Sequence, residues 1–257
     1  MKLHIFGTCS GTEPYPGTHH TSFALDRNGE LTWFDAGECC SHTAYTMDGV
    51  DINRTRRILL SHLHTDHIGG LANLFWVLKK LENRYDSVIF QDIDLYLPDP
   101  DFWNAMLAMM KSAEGGFSTR FEIHPHLITD GILLDENGLK ITALHTHHLN
   151  HKAPEPWRSF GFLIECGGKR IVYSGDTGGA YDYRPLLPAD ILLTETGHHH
   201  PADVAKELID RDIFPGLLAF IHHGRDILDR REEQIKALDA ICPGRYAILR
   251  DAQTIEI

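Results

Sequence analysis

Residues 61–70 read Ser61-His62-Leu63-His64-Thr65-Asp66-His67-Ile68-Gly69-Gly70 (SHLHTDHIGG), directly after the apolar run Ile58-Leu59-Leu60. From Ile68 onward apolar residues recur at three- and four-residue steps, so the stretch joins a strand to a helix. His62 and His64, two apart in an extended segment, project to the same side and can reach one ion together. Asp66 and His67 come at the turn into the helix and point to a second position. A single ion would leave those two without a role, whereas two adjacent ions use all four side chains. Gly69-Gly70 let the helix begin close to the loop.

The rest of the composition is compatible with such a centre. The chain has 257 residues, 42% apolar and 23% charged, enough for a sizeable core and ordinary for a globular protein. We read it as a single domain over residues 1–257. There is no run of about 18 apolar residues, which argues against a membrane span. The opening MKLHIFGTCSGT reads as a first strand, too short in its apolar part for a secretory segment. Five cysteines form no CxxC pair and no even disulfide set, so reduced thiols in a cytoplasmic location are expected. The net charge of -12 argues against a general nucleic-acid binder. Eighteen histidines are many for this length, and position has to select among them.

Two halves emerge, each with strands followed by helices. Strands are expected at Leu3–Phe6, Ser22–Leu25, Leu31–Phe34 and Arg57–Leu60, between turns rich in Gly, Pro, Asn and Asp. Leu71, Leu74, Phe75, Leu78 and Leu81 mark a helix running from Ile68 to about Asn83. Asp99-Pro100 opens a second one. The other half offers strands Leu139–Leu144, Phe160–Glu165 and Arg170–Ser174. A βαβ rhythm follows: strand Ile191–Thr194, helix Ala202–Arg211, strand Leu217–Ile221, helix Arg230–Ile241. Tyr246–Leu249 and Thr254–Ile257 close the chain as strands.

The pattern H-x-H-x-D-H in residues 62–67 resembles the metallo-β-lactamase superfamily of hydrolases. Further matches stand along the chain: Thr146-His147-His148 after a strand, Ser174-Gly175-Asp176-Thr177 after Ile171-Val172-Tyr173, and His222-His223 after Ala219-Phe220-Ile221. Trp33-Phe34-Asp35-Ala36-Gly37 resembles the family's early strand-Asp-x-Gly, where the aspartate orients the site by hydrogen bonds. The resemblance implies an α/β fold of the αββα class, two mixed sheets flanked by helices. It implies His62, His64 and His148 on one ion, Asp66, His67 and His222 on another, and Asp176 across both. His148 is favoured as third ligand, with His151 second. Imidazole and carboxylate donors suit Zn²⁺ best, with Mn²⁺ or Fe as alternatives.

Two ions about 3.5–4 Å apart can share a hydroxide and clamp the oxygens around an in-line attack. Carbonyl and phosphoryl substrates both fit. Gly7-Thr8-Cys9-Ser10-Gly11-Thr12-Glu13-Pro14 resembles the opening loop of the ribonuclease Z and phosphodiesterase branch. Thr194-Glu195-Thr196-Gly197-His198-His199-His200 could supply a proton for a leaving alkoxide, with His200 (or, second, His199) as general acid and Glu195 as its partner. His19-His20 could line the pocket. A small phosphodiester, cyclic ones included, is therefore the expected substrate. The alternatives are a lactone, carboxylic ester or β-lactam hydrolase on the same metals, a tRNA 3′-processing endonuclease, and, last, a non-catalytic metal-binding protein. A homodimer is expected by analogy with the fold alone.

Overall fold

A computed structural model describes residues 1–85, 91–113, 116–150 and 156–257. In chain order its elements begin with β1 (Lys2–Gly7), β2 (Ser22–Arg27), β3 (Glu30–Phe34), α1 (Cys40–Thr46) and β4 (Thr55–Leu59). Next come α2 (Thr65–Ile68), α3 (Leu71–Tyr85), β5 (Asp92–Leu97), α4 (Pro100–Ser112), β6 (Glu122–Leu127) and β7 (Gly131–Glu136). They continue as β8 (Leu139–His145), α5 (His147–Asn150), β9 (Phe160–Cys166), β10 (Lys169–Tyr173), α6 (Ala180–Tyr183) and β11 (Ile191–Thr196). The last are α7 (Pro201–Asp210), β12 (Leu217–His223), α8 (Arg225–Ile241), β13 (Tyr246–Ile248) and β14 (Gln253–Glu256). The chain divides into two compact units. One comprises Met1–Gly7, His19–Ile128 and Asp251–Ile257, and the other Thr8–Thr18 and Thr129–Arg250.

The first unit holds a sheet in the order β14-β1-β2-β3-β4-β5-β6. Pairing is antiparallel from β14 to β3 and parallel from β3 to β6. The apolar stripe of α3 (Leu71, Leu74, Phe75, Leu78, Leu81) is buried with Trp33, Ile58, Leu95 and Trp103, as its periodicity requires. Each such side chain contributes roughly 1.5–3 kcal/mol by leaving water. Asp99 caps α4, its side chain accepting from the Asp101 amide at 3.0 Å.

The second unit mirrors this composition: its sheet runs β13-β12-β11-β10-β9-β8-β7, parallel from β13 to β10 and antiparallel beyond. All six residues of β11 are buried, the mark of a central strand covered on both faces. Val204, Ala205 and Leu208 of α7 and Leu238 of α8 join Leu192, Leu218 and Phe220 in its core. Each unit thus carries a mixed seven-stranded sheet with helices against it, the content expected of the αββα class.

The departures from the expected elements have local causes. The helix expected from Ile68 is interrupted: a single turn, α2, precedes α3. At Gly70 the backbone passes so close to Gly37 that a Cβ would lie 2.1 Å from its carbonyl oxygen. The Gly70 amide also donates to Ala36. The helix expected from Arg230 begins at Arg225 and is kinked at Arg230, where φ is -132° and ψ 33°.

Candidate metal centre

In the first unit β4 delivers the chain to Leu60, Ser61 and His62, all fully buried. His64 is still extended (φ -69°, ψ 149°) as it enters α2. The His62 and His64 rings therefore lie together, with centroids 4.6 Å apart and edge to face. The His67 ring lies 4.1 Å from that of His62, and Asp66 Oδ2 is 3.3 Å from His67 Nε2.

One carboxylate organises this group. Asp35 is fully buried and left-handed (φ 57°), an uncommon conformation for a residue with a side chain. Its Oδ1 accepts from the Ser61 amide at 2.6 Å and its Oδ2 from Ser61 Oγ at 2.8 Å. His67 Nδ1 lies 2.8 Å from the same Oδ2, and His62 Nδ1 lies 3.1 Å from Ser61 Oγ. With the Ser61 hydroxyl proton committed to Asp35, both histidines donate from Nδ1 and present Nε2. That is the arrangement in which a ligating histidine is held by an outer carboxylate.

The second unit gathers the other expected residues. Gly175 takes φ 57° after β10 and turns the chain into Asp176, 1% exposed. His148, on α5, places Nε2 3.7 Å from Asp176 Oδ2. His151 lies outside the described residues. His222 is left-handed (φ 51°) and sits where the β11–β12 register slips, Glu195 pairing with Ile221 and Thr196 with His223. It is the extra residue of a bulge, which re-aims its side chain. Its Nε2 lies 3.3 Å from Asp176 Oδ1. Next to it, His223 is buried and bonded to the Leu249 carbonyl at 2.9 Å, and burial pushes its imidazole down to about 3. His223 is therefore a neutral interior residue.

The triple histidine resolves into three environments. Glu195, fully buried, accepts from the Thr177 amide at 2.7 Å and from the His198 amide at 2.9 Å. His198 Nδ1 lies 2.7 Å from Glu195 Oε2. Burial would raise the Glu195 pKa, but the hydrogen bond with His198 and the His222 imidazole 3.7 Å away outweigh it and hold the carboxyl at about 2. The bond to Glu195 in turn raises His198, against burial. His199 Nε2 meets Thr177 Oγ1 at 3.0 Å. His200 precedes α7, and its side chain is 68% exposed. Glu195, expected as the partner of His200, is paired with His198 instead, and His200 Nδ1 contacts Asp226. The three histidines are adjacent in sequence, and only the partner each one meets tells them apart.

His198 is the residue that the sequence reading missed. The donor atoms of Asp176, Glu195, His198 and His222 all lie within 4.8 Å of one another. Imidazole nitrogens and carboxylate oxygens without thiolate are a donor set that fits a divalent ion. The loop Thr8–Thr18 supports this corner: Ser10 donates from its amide and Oγ to the His223 carbonyl, at 3.1 and 2.9 Å. A Cβ on Gly197 would lie 2.6 Å from His222 Nδ1, so only glycine lets the chain pass there. His19, which the sequence offered only as a residue that could line the pocket, is bound to Asp251 by its amide (2.6 Å) and by Nδ1 (3.0 Å).

Solved structures of the same fold include the short form of human tRNase Z, 20% identical, covering 100% of this chain and 99% of that one with a TM-score of 0.74. The metallo-β-lactamase fold protein YhfI of Bacillus subtilis is 18% identical, covers 99% of this chain and 98% of that one, and has a TM-score of 0.73. The fold is thus that of the metallo-β-lactamase superfamily. Within it, the family described as anti-Pycsar protein Apyc1 matches residues 1–186, and the chain belongs to that family. Among curated relatives, ribonuclease Z of Methanothermobacter thermautotrophicus is 28% identical over 148 residues, covering 58% of this chain and 45% of its own length. The chain spans about half the length of the curated relatives it matches. Among the described residues no helix is long and apolar enough to cross a membrane.

Proposed function

We propose that the chain is a metal-dependent hydrolase acting on small phosphodiesters, cyclic ones included. The observation that carries this reading is the cluster His62, His64, Asp66 and His67, all but His64 buried, with the Nδ1 atoms of His62 and His67 governed by Asp35 and Ser61. Following the order of the family's motifs, His62, His64 and His148 would hold one ion, Asp66, His67 and His222 a second, and Asp176 would serve both. Zn²⁺ suits these donors best. Two such ions, when bound, would stabilise negative charge on the oxygens of the reacting centre. The chain's own contribution is to keep the His62 and His67 imidazoles in the ligating tautomer and to bring a proton to the leaving oxygen, the role given to His200.

The phosphodiester is favoured over a lactone or β-lactam by the Gly7–Pro14 loop, which lies against the strand carrying His222, and by histidines that can donate a proton to an alkoxide. A second reading, tRNA 3′ processing, is favoured by relatives named ribonuclease Z. Against it stand the net charge of -12 and the sequence of residues 71–131, which has no long basic Gly/Pro-rich arm.

The test is a substrate panel with zinc- and manganese-loaded protein: bis-p-nitrophenyl phosphate, cyclic mononucleotides, a tRNA precursor, nitrocefin and lactones. Turnover of the small diesters is expected. Cleavage of the lactones with none of any diester would overturn the reading, and cleavage confined to the precursor would put the second in its place.

A further inference from the structure

The exposed His200 is held in a network built on the start of α8. His200 Nδ1 contacts Asp226 Oδ2, and Arg230 Nη2 contacts Asp226 Oδ1, so the carboxylate is gripped from both sides. Asp226 is only 12% exposed, although His200 and Arg230 are mostly open to solvent. It stands in the first turn of α8, where a negative charge suits the helix N-terminus.

That turn is fixed by the loop Thr8–Thr18. Tyr15 Oη donates to the Leu228 carbonyl at 2.6 Å, and Arg225 pairs with Glu13 while lying over the Tyr15 ring at 5.9 Å. The helix then breaks at Arg230, whose side chain folds back to Asp226. The kink thus separates a short segment, Arg225–Asp229, clasped by the loop and presenting Asp226 to His200.

We infer that Asp226 is the positioning residue for the proton donor His200, in the place where the sequence suggested Glu195. The inference rests on the phosphodiesterase reading. With Nδ1–H donated to Asp226, Nε2–H is the proton available to substrate. It passes to the leaving oxygen as the phosphorus–oxygen bond breaks, and solvent returns it, so that diester and water give monoester and alcohol. Glu195 is already committed to Thr177 and His198.

Two measurements test this. In ¹⁵N spectra of the metal-loaded protein, neutral His200 is expected as the Nδ1–H tautomer, changing to a mixture in Asp226→Ala. An Nε2–H tautomer in the unaltered protein overturns the inference whatever the substrate. In kinetics, kcat is compared for bis-p-nitrophenyl phosphate, whose leaving group needs no proton, and for a cyclic mononucleotide, whose alkoxide does. Asp226→Ala is expected to lower the alkoxide kcat relative to the nitrophenyl kcat by on the order of 10-fold or more, and His200→Ala by on the order of 10²-fold or more. In a His200→Ala background, Asp226→Ala is expected to add nothing to that ratio. Equal loss on both substrates, or no loss, overturns the role. So does a wild-type enzyme that cleaves only the nitrophenyl ester. A wild type that cleaves no diester instead removes the phosphodiesterase reading.

Discussion

His67 Nδ1 and Asp35 Oδ2 lie 2.8 Å apart with both side chains fully buried, and Ser61 extends the same carboxylate's reach to His62. One side chain therefore sets the tautomer of two proposed ligands. Asp35→Ala removes the acceptor of the Ser61 amide, of the Ser61 hydroxyl and of the His67 imidazole, and so releases the hydroxyl that orients His62. Metal affinity should fall about 10–100-fold, the usual effect of losing an outer partner. Stability of the metal-free protein should fall by about 1–3 kcal/mol. Zinc titration against a chromophoric chelator and urea unfolding measure the two effects. An unchanged zinc affinity would mean that Asp35 serves the fold alone.

The proposed assignment of seven ligands to two ions is checked by metal content. Asp66→Ala should bind towards one ion per chain and lose activity by orders of magnitude, as read by elemental analysis and the diester assay. Two ions at full occupancy would remove Asp66 from the ligand set. His148→Ala should lose metal and His151→Ala retain it, and the reverse result would give the third position to His151. Dialysis against a strong chelator should abolish turnover, and zinc or manganese should restore it.

These residues were legible to different degrees, for physical reasons. The histidines of residues 62–67 sit in one strand-to-helix passage, so spacing alone says which side chains share a side. His222 and His223 are harder. In a regular strand neighbours alternate faces, but here a bulge decides which histidine turns towards Asp176. Among His198, His199 and His200 the local sequence offers only Glu195, three residues before His198, while the partners of the other two, Thr177 and Asp226, come from elsewhere in the unit. The strand β6 carries EIHPHL, whose proline and histidines hide its edge position. The helix α1 has no side-chain cap to announce it.

The cysteines provide a check on the fold that is independent of the metals. Cys9, Cys40, Cys166 and Cys242 are buried and Cys39 is exposed. Burial pushes the Cys40 thiol up to about 12, and burial together with Glu38 also raises Cys39. A raised pKa means less thiolate at neutral pH, so labelling should be slow and should quicken as pH rises. Iodoacetamide on the native protein should modify Cys39 while Cys40 stays inert up to about pH 9, and all five should react in denaturant. Peptide mass mapping reads the sites. Native labelling of Cys40 at a rate matching Cys39 would contradict the burial of α1.

Gly37 is a point where three strands of backbone meet. A Cβ there would lie 2.5 Å from the carbonyl carbon and oxygen of His20 and 2.6 Å from the Asp66 carbonyl oxygen. All three are main-chain atoms, so no side chain can swing aside to make room. Gly17 offers the comparison: a Cβ would meet nothing within 4 Å, and the only cost is its left-handed φ of 77°. Gly17→Ala should therefore cost about 1–2 kcal/mol. Gly37→Ala should cost about 3 kcal/mol or more, by overpacking against rigid neighbours. Because Asp66 is one of those neighbours, Gly37→Ala should also weaken metal binding, while Gly17→Ala should not. Urea unfolding and zinc titration of both variants make the comparison, and equal losses in the two would show that the contact at Gly37 is looser than its geometry requires.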